Sequence, residues 1–155
     1  MLFKQARSGV GNMEFMCYKF RSMNQSVDAD TKQASKGDTR INKIGAFLRK
    51  SSLDEFPQFI NVFMGDMSIV GPRPHMLDHT KYYSKEVNNF MQRHKCLPGI
   101  TGWAQVHGAR GPTTEKGSMD KRVQHDLYYI KNWNLMLDFY ILIKTVFVVL
   151  FQKVD

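Results

Sequence analysis

Hydrophobic and polar positions alternate in short blocks along this chain, and their spacing predicts a series of short elements. Residues 15–23 read as a strand containing Tyr18, Lys19, Phe20 and Arg21. Residues 25–38, rich in Asp, Ser, Lys and Gln, read as a loop. Ile41, Ile44, Phe47 and Leu48 then recur at helical spacing, with Arg40, Lys43, Arg49 and Lys50 between them. That pattern is an amphipathic basic helix, which packs on a core, the commoner case, or rests on lipid. A second helix is expected to begin at or just before Asp54. Ser52-x-x-Glu55 fits a capping box there, and Pro57 is tolerated only in a first turn. Phe56, Phe59, Ile60 and Phe63 give this helix an apolar face, and Gly65 is placed to end it.

Residues 67–70 form a short apolar run, and Gly71-Pro72-Arg73-Pro74 fixes an extended, rigid turn. Residues 82–94 read as helix with Val87, Phe90 and Met91 on one face, broken at Pro98-Gly99. Residues 100–106 read as a strand, 108–117 as a flexible loop and 119–130 as helix. Leu135–Phe151 reads as an apolar last helix. The sum is one α+β domain over residues 1–155, mostly helical with a few short strands.

Composition narrows the classes. At 43% hydrophobic, the 155-residue chain can bury a core without disulfides. Cys17 and Cys96 are too few for a disulfide framework or a zinc site, which favours a reducing setting. The formal charge of +8 is uneven: residues 1–50 hold ten Lys/Arg against four Asp/Glu, a net of +6. Such a basic end can meet anionic lipid, nucleotide phosphates or nucleic acid, or be a plain solvated surface. A nucleic-acid-binding domain would rest on charge alone, lacks a binding motif and leaves Asp54 and Glu55 unexplained. No secretory leader is visible, and the apolar stretch 133–151 is interrupted by Asp138 and Lys144.

The adjacent carboxylates Asp54 and Glu55 carry the sharpest chemistry. A helix N-terminus favours anions and is expected to keep Asp54 ionised, as a carboxylate nucleophile must be. Side by side, Asp54 and Glu55 also suit one Mg²⁺ shared with substrate phosphates. Taken alone, they fit equally well as a helix cap. Arg49, five residues earlier, and Arg73, locked between two prolines, are placed to grip phosphate. Lys19 and Arg21 add cations. Gly99, Gly102, Gly108 and Gly111 let backbone approach a ligand. His75 and His79 are spaced for a metal but lack a third ligand and read as surface residues. Trp103, Tyr128 and Tyr129 read as core aromatics rather than a base-stacking site.

Five blocks in fixed order now resemble a known family. They are Phe3-Lys4-Gln5-x-Arg7-x-Gly9, YKFRSM at 18–23, SSLDEFPQFINVFMGDMSIVGPRP at 51–74, PGITGWAQVHGARG at 98–111 and DLYYIKNWNLMLDFYILIKT at 126–145. The chain is similar to the bacterial sugar transferases, the monotopic phosphoglycosyl transferases. The resemblance implies transfer of a sugar 1-phosphate from a UDP-sugar to polyprenyl (undecaprenyl) phosphate, which starts exopolysaccharide, capsule or O-antigen synthesis. It implies Asp54 as nucleophile, Glu55 beside it holding Mg²⁺, and Arg49 and Arg73 as phosphate binders. Lys19, Arg21, Arg110, Asp126 and Asp138 are expected at the substrate. The cytoplasmic face of the bacterial inner membrane is the implied location. The family's hydrophobic N-terminal membrane helix is expected before YKFRSM and is absent here. The alternative is therefore an inactive truncated remnant that binds nucleotide-sugar or membrane surface without turnover. The transferred sugar and the oligomeric state stay open.

Overall fold

A computed structural model describes residues 2–24, 38–111, 113 and 117–151. The expected loop over 25–38 lies almost wholly outside them, as does part of the loop over 108–117.

Strands β1 (Leu2–Ser8) and β2 (Glu14–Phe20) pair antiparallel, from Leu2 opposite Phe20 to Ser8 opposite Glu14. A tight turn joins them, with Gly9 N donating to Met13 O at 2.7 Å. The hydrophobic pattern does not predict β1, because its two buried residues are polar. Gln5 and Ser8 are buried, and Ser8 Oγ meets Thr80 Oγ1 at 2.9 Å.

Helix α1 (Lys43–Lys50) is capped by Asn42, whose side chain accepts from Gly45 N at 2.7 Å. A Cβ on Gly45 would fall 1.8 Å from Ser22 O, so glycine is what lets α1 lie against the segment after β2. Its predicted apolar face does not enter the core: Ile44 is 74% and Phe47 64% exposed.

Ser52 takes a left-handed φ of 58° and turns the chain into a 3-10 turn, Leu53–Glu55, ahead of α2 (Gln58–Met64). The expected capping box does not form. Ser52 makes no side-chain cap bond, and the Glu55 carboxylate is drawn to cations elsewhere. Gly65, at φ 85°, ends α2 as anticipated. The α2 face is exposed, Phe63 at 94%.

Strand β3 (Ser68–Val70) pairs parallel with β4 (Gly99–Thr101). Between them, α3 (Leu77–Glu86) gives way to a 3-10 stretch, Phe90–Lys95, through Asn89 at φ 60°. The helix expected over 82–94 is thus two pieces, because a left-handed residue cannot continue an α-helix. The strand expected over 100–106 stops at Thr101 and continues as the short helix α4 (Trp103–Val106). Helices α5 (Ser118–Asn132) and α6 (Leu135–Phe151) follow. His75 is not a surface residue; it is 5% exposed, edge-on to Phe90 at 6.0 Å.

Two apolar clusters hold these elements together. Val70, Val106, Tyr129, Ile141 and Val148 join β3, α4, α5 and α6. Val87, Phe90, Met119 and Val123 join the end of α3 to α5. Each fully buried large side chain contributes about 1.5–3 kcal/mol. Much of α6 faces out, including Met136, Phe139, Ile143, Leu150 and Phe151. Among the described residues no helix is long and apolar enough to cross a membrane.

Candidate active site

Three segments distant in sequence meet at Glu55. The 3-10 turn carries its carboxylate inward, β2 supplies Lys19, and the proline-locked segment supplies Arg73. Lys19 Nζ donates to Glu55 Oε1 at 3.1 Å. Arg73 donates Nη1 to Oε2 at 3.0 Å and Nη2 to Oε1. The backbone bearing Arg73 is fixed at each residue. Pro72 O accepts from Gly99 N at 2.9 Å, Arg73 O from Arg93 at 2.7 Å and Pro74 O from Arg7 at 3.2 Å.

Asp54 sits one residue before this knot, 9% exposed. Lys19 and Arg73 spend their hydrogen bonds on Glu55, not on Asp54. Burial would push Glu55 up, but the charges of Arg73 and Lys19 and their hydrogen bonds outweigh it and hold Glu55 well below the usual carboxylate range. Asp54 goes the other way. Burial, then the Glu55 charge, raise it above 3.8, against the pull of Lys19, Arg49 and Arg73. The expected helix N-terminus does not lower it, since Asp54 lies in a three-residue 3-10 turn. One carboxylate is neutralised by partners and its neighbour is left for other chemistry.

The remaining expected residues divide. Arg110 donates to Ser52 Oγ at 2.8 Å, which places its guanidinium beside the dyad. Arg49, in the last turn of α1, contacts Met23 Sδ at 3.8 Å and acts on Asp54 through charge. Arg21 lies over the Phe3 ring at 5.5 Å. Asp126 is 2% exposed in an ion pair with Arg93 at 2.7 Å. Asp138 accepts from Tyr129 at 2.8 Å and from Trp133 at 3.1 Å. The geometry therefore gathers Lys19, Arg49, Asp54, Glu55, Arg73 and Arg110, and gives Asp126 and Asp138 other partners. Sequence reasoning passed over Arg93 and Arg122. The four-residue spacing of Arg122 and Asp126 on a helix was the available signal.

The donor set fits a hard divalent cation. Mg²⁺ is typically held by one or two carboxylates with substrate phosphates and water. A carboxylate offers about four lone-pair sites. Glu55 uses three, on Lys19 and twice on Arg73, leaving one on Oε2. No third His, Cys, Asp or Glu joins them among the described residues.

Residues 1–152 match the bacterial sugar transferase family. The chain is 54% identical over 155 residues to the UDP-glucose:undecaprenyl-phosphate glucose-1-phosphate transferase of Xanthomonas campestris pv. campestris, covering 99% of this chain and 32% of the relative. The protein of the same name in Escherichia coli strain K12 is 48% identical, over 95% of this chain and 32% of its own length. An exopolysaccharide production protein of Rhizobium leguminosarum bv. phaseoli is 41% identical over 94% of this chain and 76% of its own. The chain spans about a third of the length of the first two relatives. By the extent of these matches, the chain belongs to the bacterial sugar transferase family.

Proposed function

We propose that this chain is the catalytic region of a monotopic phosphoglycosyl transferase. It moves a sugar 1-phosphate from a UDP-sugar to polyprenyl phosphate through a covalent intermediate on Asp54. The observation that carries the reading is the split within the dyad: Lys19 and Arg73 neutralise Glu55 and make no hydrogen bond to Asp54. The relatives' names point to the same substrates.

Asp54 attacks the phosphorus that bears the sugar. The bond from that phosphorus to the bridging oxygen breaks, and UMP leaves with the electron pair. An oxygen of the lipid phosphate then attacks the resulting acyl phosphate. The Asp54 carboxylate is released, leaving a polyprenyl diphosphosugar. No proton is gained or lost by Asp54 over the cycle. Arg73 stays on Glu55 and sets the charge beside the reacting phosphorus; Arg49 and Arg110 offer guanidiniums to phosphate oxygens. Asp54 and Glu55 are the residues that would hold Mg²⁺, which would neutralise pyrophosphate charge when bound.

The cytoplasmic face of the bacterial inner membrane is the location this reading assigns. Supporting it are exposed apolar residues on α1, α2 and α6, beside basic Lys43 and Lys50. The test supplies the full chain with UDP-hexose, Mg²⁺ and undecaprenyl phosphate in detergent. UMP release is expected, with a sugar phosphate trapped on Asp54 by mass spectrometry and activity at background in Asp54→Asn. Wild-type release by Asp54→Asn overturns the nucleophile. A folded parent that binds UDP-hexose without release favours a binding module.

A further inference from the structure

Behind the site lie two buried guanidiniums that the reaction itself does not use. Arg93 is 2% exposed, Arg122 5% and Asp126 2%. Arg93 donates Nε to Asp126 Oδ2 at 3.0 Å and Nη2 to the carbonyl of Arg73 at 2.7 Å. Arg122, one helical turn before Asp126 on α5, donates Nε to Ala109 O at 3.1 Å and Nη2 to Gly111 O at 2.9 Å. Those two carbonyls flank Arg110.

We propose that Arg93 and Arg122, set about Asp126, are positioning residues that fix the backbone beneath the two site guanidiniums, Arg73 and Arg110. Taking a guanidinium out of water costs several kcal/mol unless it is paired and hydrogen-bonded. Here two guanidiniums are placed near one carboxylate, and both spend N–H groups on carbonyls adjoining or belonging to a site arginine. The loop around Arg110 needs such a hold. Gly108 and Gly111 both sit at positive φ, 81° and 95°, where the chain has many alternatives. A planar fork bridging residues 109 and 111 removes that freedom and leaves Arg110 aimed at Ser52 Oγ. Lysine keeps the charge but cannot span two carbonyls with a rigid fork.

The proposal rests on the transferase reading for its kinetic readout alone. The variants are Arg122→Lys, Arg110→Ala and the double variant, in the full chain, followed by UMP release and by hydrogen exchange at the Ala109 amide. That amide is bonded to Ala104 O at 2.9 Å. Arg122→Lys is expected to lower kcat/KM by on the order of 10²-fold, the cost of a small misplacement, and to speed exchange at Ala109. In the Arg110→Ala background it should cost nothing more, because it acts through Arg110. Independent, additive losses overturn the proposal, as does unchanged exchange at Ala109. So does loss of a cooperative melt in Arg122→Lys, which would assign the clamp to the fold rather than the site. If the parent itself does not turn over, the transferase reading fails and Ala109 exchange alone decides the positioning role.

Discussion

Arg73 grips Glu55 with both terminal nitrogens, Nη1 lying 3.0 Å from Oε2. That grip leaves Glu55 ionised one residue from Asp54, and its charge, second to burial, raises the Asp54 pKa. In the proposed reaction the attack requires ionised Asp54, so activity is expected to fall as pH drops through the Asp54 pKa. Glu55→Gln removes the raising charge. The acid limb of kcat/KM for UMP release is expected to move to lower pH, even as the rate falls. Arg49→Gln removes a lowering charge and is expected to move the limb to higher pH. Limbs that move together, or not at all, would refute the assignment of that limb to Asp54.

Arg49 depends on Gly45 for its place. A Cβ at residue 45 would lie 1.8 Å from Ser22 O, a backbone atom that cannot swing away. Gly45→Ala must therefore lift α1 from the segment after β2. Alanine normally favours helix by about 1 kcal/mol over glycine, so the sign here is reversed by packing. Destabilisation by about 1–3 kcal/mol, the usual cost of overpacking, is expected in urea unfolding, together with an acid limb moved in the Arg49→Gln direction. A stabilised Gly45→Ala would show that α1 does not approach Ser22.

Local pattern made the helices easiest to read. The 17 residues of Leu135–Phe151 are apolar enough to mark α6 end to end, and the 41, 44, 47, 48 spacing marks α1. β1 escaped because its buried positions are Gln5 and Ser8, whose burial is repaid through contacts more than 60 residues away, such as Ser8 with Thr80. Asn89 at φ 60° splits a helix without any breaker in the sequence. At the site, the resemblance supplied the cast of residues and could not supply their pairing. Lys19 and Glu55 are 36 residues apart, Arg110 and Ser52 are 58 apart, and Arg93 finds Asp126 across 33. Only the fold could show that Glu55 takes the cations while Asp54 does not.

Two buried histidines set an acid limit on stability. His75 Nε2 and His94 Nδ1 are buried without a hydrogen-bond partner. Burial first, then Arg93, lower both, His75 well below 6.5 and His94 to about 4. The folded pKa lies below the unfolded one, so the unfolded chain takes up these protons first. Their effect is absent above pH 6.5 and destabilises progressively as pH falls below it, for His94 by about 1.4 kcal/mol per pH unit down to about pH 4. For His94 the loss reaches about 3 kcal/mol near pH 4. Urea midpoints from pH 7 to 4 should fall with that slope, and His94→Gln should flatten it. An unchanged slope in His94→Gln would rule His94 out as a contributor.

Phe63 separates the membrane reading from the fold. It is 94% exposed on α2, so the core does not account for it. If α2 enters a lipid interface, Phe63→Asp should leave urea stability within about 0.5 kcal/mol, as surface changes usually do. Binding to vesicles of anionic phospholipid should weaken about 10- to 100-fold, since seating a phenylalanine is worth about 1.5–3 kcal/mol. The basic residues of α1 add attraction that salt screens, so the parent's binding should also fall as ionic strength rises. Phe63→Ser should weaken binding too, because it removes the ring without adding charge. Equal vesicle binding by the parent and both variants would remove α2 from the membrane face and leave α1 and α6 to provide it.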